Sequence, residues 1–327
     1  LLERKIMKKF THQLFFILCA FTQVLSYAQT FPTKPVRIIV PYVPGGTVDL
    51  VARVLAQQLT EQTGHNFIVD NKAGASGVIG SDAVAKSAPD GYTLLVQSPT
   101  LIASPLMLKK VPYDVNKDFT PVTLLGTVPM IMVTQSKNPA NNMAEFIKFT
   151  QDSNRKVNFG TSATGSPMHL AMESFKHGAK LTTPVIAYRG TAAAINDLLG
   201  DQIDAIIDAI PSTAPHINSG KLKALAVTTK KRLPAFPLVP TMAESGFPEF
   251  EIVSWYGLWA PANLPPAIAK RLAELADKAM NSKAVRDLLG QQGFIPELIS
   301  GENFSVFLNK ELAQYSKIVK ISQIQMD

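Results

Sequence analysis

The chain has 327 residues, 46% of them hydrophobic and 17% charged, with a formal charge of +7 and a single cysteine, Cys19. That is enough material for two cored domains of ordinary size and excludes a disulfide-stapled scaffold. The lysines are scattered rather than interleaved with aromatics, so the basic balance gives no support to nucleic-acid binding.

In chain order, Met7 is followed by Lys8 and Lys9, an apolar stretch from Leu14 to Leu25, and Ser26-Tyr27-Ala28. This is the pattern of a secretory signal peptide spanning residues 1–28 and cut before Gln29. The residues ahead of Met7 fit no part of such a signal, so Met7 is the expected start. Cys19 leaves with the signal, and Leu18 before it is too large for a lipoprotein site. Loss of Arg4, Lys5, Lys8, Lys9 and Glu3 lowers the formal charge to +4. No later apolar run reaches the roughly twenty residues that span a bilayer. The expected product is exported, soluble and periplasmic.

Strand-like and helix-like patterns then alternate, which argues for α/β layers with mostly parallel sheets. Val36 to Val40 reads as a strand running into Pro41-Tyr42-Val43-Pro44-Gly45-Gly46, after which Val48, Val51, Leu55 and Leu59 form one apolar stripe of a helix from Thr47 to Gln62. Thr47 is its expected N-cap and Gly64 its stop. A strand over Phe67 to Val69, a Gly-rich turn and helix from Gly74 to Lys86, and a strand from Tyr92 to Val96 follow. In the middle segment, Val157-Asn158-Phe159 leads into Gly160-Thr161-Ser162-Ala163-Thr164-Gly165-Ser166-Pro167, where Ser166 caps a helix with proline at its first position. Val185 to Tyr188 leads into Arg189-Gly190-Thr191 and a helix to Leu199, then a strand from Ala205 and a helix from Pro211. Ile268, Leu272, Leu275 and Ala279 mark one late helix, and Phe304, Leu308, Leu312 and Tyr315 mark the last.

Three times, then, a strand opens through a glycine- and hydroxyl-rich turn into a helix. A helix start carries unpaired N–H groups and a partial positive charge, so each turn is a ready anion pocket, and three aimed at one point would hold a carboxylate. Val128 to Thr134 and Leu222 to Thr229 read as crossings between two lobes. That places residues 30–130 and 228–327 in one domain, 131–227 in the other, and the pocket between them.

Lys34-Pro35-Val36-Arg37, Pro44-Gly45-Gly46-Thr47-Val48-Asp49, Ala88-Pro89-Asp90-Gly91-Tyr92, Tyr188-Arg189-Gly190, Pro240-Thr241-Met242-Ala243-Glu244-Ser245-Gly246 and Trp259-Ala260-Pro261, in this order, resemble the Bug family of periplasmic substrate receptors of tripartite tricarboxylate transporters. The resemblance covers about residues 30 to 320. It implies a two-lobed, type II periplasmic-binding-protein fold closing over a small carboxylate, a pocket dominated by amides, hydroxyls and water, and integral-membrane transporter subunits as partners. It implies no cofactor. A monomer is expected.

The candidate ligand-binding residues are Tyr42, Gly45, Gly46, Thr47, Asp49, Ser98, Thr100, Ser162, Thr164, Gly165, Ser166, His169, Tyr188, Arg189, Gly190, Thr191 and Asp208. Gly45 and Gly46 allow close backbone approach. Asp49 either complements its helix N-terminus or orients pocket water, and His169 is either a partly buried side chain one turn inside its helix or a ligand contact. Arg189 either grips a carboxylate or pairs with Asp204 or Asp208, while Tyr42 and Tyr188 either wall the cleft or belong to the core. Ser98 and Thr100 sit where α/β sites lie, off the carboxyl end of a strand.

Enzyme signatures fail on the same residues. The Gly160 to Ser166 turn has P-loop glycine spacing but Ser166 where the lysine must be, and the Gly74 to Gly80 glycines are misspaced for a dinucleotide. There is no G-x-S-x-G elbow, and the mature histidines 65, 169, 177 and 216 lack metal-ligand spacing. A carboxylate sensor for a membrane kinase and a secreted enzyme on the same scaffold are the alternatives to a transport receptor.

Overall fold

The computed structural model describes residues 31–322 and 324, apart from 153, 189, 291 and 292. The expected signal peptide, with Met7 and Cys19, and Arg189 lie outside them. Along the chain run β1 (Val36–Val40), α1 (Thr47–Thr63), β2 (Phe67–Asn71), a 3-10 turn (Ala75–Gly77), α2 (Val78–Ala85), β3 (Thr93–Gln97), α3 (Thr100–Met107), α4 (Val115–Asp118) and β4 (Phe119–Val128). Then come β5 (Met130–Gln135), α5 (Met143–Gln151), β6 (Phe159–Thr161), α6 (Pro167–Gly178), β7 (Val185–Ala187), α7 (Thr191–Leu199), β8 (Ala205–Ala209), α8 (Ile210–Asn218) and β9 (Leu222–Val227). The chain closes with β10 (Ser254–Pro261), α9 (Pro266–Met280), α10 (Lys283–Gly290), β11 (Ile295–Ser300) and α11 (Gly301–Ser322).

The strands form two sheets, ordered β11-β4-β10-β3-β1-β2 and β7-β6-β8-β5-β9. The α/β class and two sheets agree with the alternation in the sequence; the mostly parallel pairing does not. Only β1-β2, β1-β3, β6-β7 and β6-β8 are parallel, and the other pairs are antiparallel. Parallel neighbours need a helical crossover within one lobe. β4, β5, β9 and β10 instead enter or leave a lobe as the chain crosses to the other, and they pair in the opposite sense.

The crossings lie side by side. Only Pro129 separates β4 from β5; Ser254 pairs with Val128, and Val227 pairs with Ile131. The Thr228 N–H and hydroxyl both donate to the Met130 carbonyl, tying the outgoing strand to the returning one. A long apolar cluster bridges this hinge. It joins Trp255, Trp259, Phe304 and Tyr315 to Phe146, Phe159, Met172 and Phe175, because α11 packs on α3 and β4 and also on α6. A second cluster fills the opposite face of the six-stranded sheet beneath α1 and α9, and a third lies between the five-stranded sheet and α7.

Helix ends are set by short-range chemistry. α1 ends at Gly64, whose left-handed φ of 71° lets its N–H reach the Thr60 carbonyl. At its start the expected cap is corrected: extended Gly46 precedes the helix, Thr47 is already helical, and no side chain caps the end. Ser166 does cap α6, its Oγ accepting from the His169 N–H at 3.2 Å with Pro167 next. Off the site, the Thr241–Glu244 motif closes on itself as a capping box, Glu244 Oε2 accepting from the Thr241 N–H and Thr241 Oγ1 from the Glu244 N–H.

Candidate functional site

The first turn follows β1. Gly45 takes a φ of 96°, which a side chain would strain, and its N–H donates to Asp49 Oδ2 at 3.0 Å. The same oxygen accepts from Arg53 Nε at 2.9 Å, and Asp49 Oδ1 accepts from Asn71 Nδ2 at 2.9 Å. Asn71 Nδ2 also donates to the Tyr42 carbonyl, so the turn is stitched at both ends. Burial pushes the Asp49 carboxyl up, but the bonds from Arg53, Gly45 and Asn71 outweigh it and hold the group below the usual carboxylate range. Both oxygens of Asp49 thus hold its own loop together. Among the described residues nothing accepts from the N–H groups of Gly46, Thr47, Val48 or Asp49.

Below the turn lies a hydroxyl floor. The Tyr42 hydroxyl is within 3.5 Å of Ser98 Oγ, which sits 3.0 Å from Thr100 Oγ1, and the Ser98 N–H donates to Gln97 Oε1. Burial raises the Tyr42 hydroxyl above its usual value. A side chain at Gly77 would strike Gln97 Nε2 at 2.8 Å and the Tyr42 hydroxyl at 3.2 Å, so the strained turn through Ala75 and Ser76, both at positive φ, presses onto this floor. Sequence reasoning met that turn as a Gly-rich helix start and a failed dinucleotide fingerprint, and gave Gly77 no part in the site.

In the second lobe, Gly165 at φ 75° donates its N–H to Nδ1 of His169 at 3.0 Å. His169 is 8% exposed, with Nε2 3.8 Å from Glu173 Oε1. Burial lowers its pKa, with Lys176 acting the same way and Glu173 against it. The Nδ1 edge of the imidazole thus faces its own turn. Ser166 Oγ also donates to the Ala163 carbonyl at 2.8 Å, and Thr164 is half-buried on the same loop.

The third turn abuts the second. The Gly190 N–H, at a φ of 112°, donates to the carbonyl of buried Ser162 at 2.8 Å. Thr191 Oγ1 donates to Asp208 Oδ2 at 3.0 Å, and the Ala209 N–H donates to Asp208 Oδ1 at 2.7 Å. Asp208 has no exposed surface, and burial pushes its carboxyl up to about 7 despite those two donors. The Tyr188 hydroxyl donates to Asp197 Oδ2 at 2.8 Å, and its half-buried ring lies against Gly160 and the α7 cluster. Arg189 lies outside the described residues.

Tyr256 on β10 links the lobes, and no local signal in the sequence marked it. Its hydroxyl accepts from Ser254 Oγ at 3.1 Å. Burial pushes it up to about 12, with Thr47 and Ser254 pulling down and the Asp208 charge pushing up. The start of α1 and the buried acid of β8 are both near enough to act on it. Met168 and Ala209 of the second lobe pack onto the first-lobe cluster that holds Val48 and Tyr256.

The glycines of the three turns do not offer their own N–H groups. The Gly45, Gly165 and Gly190 N–H groups are spent on Asp49, His169 and Ser162. The N–H groups of the residues after them, Gly46 to Asp49 at the start of α1, Met168 on α6 and Thr191 and Ala192 on α7, have no acceptor among the described residues. Among those residues no group of three His, Cys, Asp or Glu side chains could hold a metal, and no helix is long and apolar enough to cross a membrane.

A family model described as the tripartite tricarboxylate transporter family receptor matches residues 51–324. Protein BugT of Bordetella pertussis is 38% identical over 295 residues, covering 90% of each chain. The structure of the periplasmic binding protein BugD superposes with a TM-score of 0.79 at 31% identity, over 91% of this chain and all of that one. An R. palustris protein solved with adipate gives 0.82 at 32% identity, over 90% and 99%. These neighbours are two-lobed binding proteins, as the Bug resemblance implied. On the family match and these identities, the chain belongs to the periplasmic solute-binding receptors of the tripartite tricarboxylate transporter family.

Proposed function

We propose that the mature chain captures a small mono- or dicarboxylate between its lobes and delivers it to integral-membrane transporter subunits, after export by the signal peptide over residues 1–28. It acts as a monomer, with neither cofactor nor catalysis. The division is 30–130 with 228–327 against 131–227, which follows the membership of the two sheets.

One observation carries this reading: at the starts of α1, α6 and α7 the residues after the glycines keep N–H groups without an acceptor among the described residues; in this reading the three starts face one cleft. Peptide donors at three helix starts suit a carboxylate. Lobe closure removes water and strengthens those bonds. In support, a relative of the same architecture was solved with adipate. In this arrangement Tyr42, Ser98 and Thr100 contact the solute from one side, and Ser162, Thr164 and Thr191 from the other. Incubation of the mature protein with a panel of carboxylates, adipate included, tests the reading. A saturable rise in melting temperature with the ligand recovered unchanged is expected. Chemical conversion of the ligand would favour an enzyme.

A further inference from the structure

His169 is buried one turn inside α6, yet its nearest polar partner is the backbone of the preceding turn: Gly165 N–H donates to Nδ1 at 3.0 Å. An accepting Nδ1 puts the ring proton on Nε2, the nitrogen that faces Glu173. We infer that His169 is a positioning residue of the solute site, holding the Ser162–Ser166 turn only while its ring is neutral, and that acid releases that turn.

A protonated ring donates from both nitrogens. Nδ1–H would then confront the Gly165 N–H with no acceptor between them, and the turn must move. The displacement falls on Ser162, whose carbonyl receives the Gly190 N–H, so the second and third turns shift together. Burial delays this event, because a pKa below 6.5 keeps the ring neutral at neutral pH.

The groups around the ring fit this role. Glu173 is the acid beside it and is itself clamped by Lys176 Nζ at 2.9 and 3.1 Å, all three side chains being nearly buried. Of the elements packed on α6, β6 and β7 bring no titratable side chain, and β8 brings Asp208, engaged by Thr191 and Ala209. α11 brings Glu302, Lys310, Glu311, Tyr315, Lys317 and Lys320, of which Glu311 is taken by Trp255 Nε1 at 2.7 Å.

The inference rests on the turn's being part of the solute site, but its first test needs no solute. In the ¹⁵N-labelled mature chain, titrated from about pH 8 to about pH 4.5, His169 is expected to start as the Nε2–H form. The Gly165 amide is then expected to shift with the midpoint of the ring while the Gly45 amide does not follow it. An Nδ1–H form, or a Gly165 amide indifferent to the titration, overturns the inference. Using adipate as probe, His169→Ala is expected to weaken binding about tenfold, the size of one lost neutral hydrogen bond. His169→Asn, which keeps an acceptor and cannot titrate, is expected to restore the affinity and flatten its pH profile. Equal losses in both variants would make the ring a packing element and contradict the proposal. Coupled Gly165 and His169 titrations without any carboxylate binding would instead sink the solute reading and leave the turn mechanism standing.

Discussion

The two lobes solve the same problem with different chemistry. In each, a strand leads through a turn to a glycine at positive φ, a helix begins, and a side chain four residues after the glycine turns back to accept its N–H: Asp49 for Gly45, His169 for Gly165. The first acceptor is a carboxylate locked by Arg53 and Asn71 and held below its usual pKa. The second is an imidazole that loses its acceptor when protonated. One turn is thus fixed across the physiological range, and the other depends on pH. The comparison also shows what the glycines do. They shape the turns and spend their own N–H groups on that, which leaves the following amides to face the cleft.

Breaking the locked turn should have the largest effect. Asp49→Ala leaves the Gly45 N–H and Asn71 without their acceptor, and a loss of about 2–3 kcal/mol in urea unfolding is expected, the range for hydrogen bonds to a charged group. A neutral outcome would mean that something other than Asp49 holds the turn.

The second lobe carries a buried acid as well, and its sign is opposite. Asp208 has its pKa raised, so its protonated form is favoured in the fold; its contribution is greatest below the unfolded value near 3.8 and is lost as pH rises through about 7. Asp208→Asn should therefore raise the melting temperature by about 3 °C at about pH 8 and hardly change it near pH 4. A fall at both pH values would show that the charge is wanted.

Ser166→Ala removes the cap of α6, and about 1 kcal/mol of stability should go with it. The effect on the apo protein is direct, since Ser166 Oγ holds both His169 N–H and the Ala163 carbonyl. The smallest effect sharpens the contrast between the turns. His169 has its folded pKa lowered, so its contribution is complete above about pH 6.5 and falls as pH drops from there. His169→Asn should remove that slope below about pH 6.5, whereas Asp49→Asn should leave the slope in place. Identical slopes in both variants would erase the distinction between the turns.

Much of this was legible in the chain because it rests on local chemistry. Gly64 and Gly200 end their helices, Ser166-Pro167 starts one, and the spacing of Val48, Val51, Leu55 and Leu59 gives the buried stripe of α1. The three turns were visible for the same reason. The antiparallel pairs were not, because pairing sense is decided by where β4, β5, β9 and β10 cross between lobes, which a local pattern does not encode. Asp49 and His169 were seen at the right spacing with a local and a ligand role both open, since the direction of a side chain depends on a glycine dihedral the sequence only permits. Tyr256 lies more than two hundred residues from Thr47 and had no neighbour in the chain to reveal it. Gly77 left a signal, a second glycine in a turn after a strand, whose ligand-binding meaning was weighed only for nucleotides.

The central claim, that peptide N–H groups from both lobes grip a carboxylate, is most directly tested by amide chemical shifts during titration with whichever acid of a mono- and dicarboxylate panel most raises the melting temperature. The amides of Gly46, Thr47, Met168 and Thr191 are expected to move together with one saturating midpoint, while those of Gly45, Gly165 and Gly190 move little. Shifts confined to one lobe, or a panel in which no carboxylate binds, would contradict it.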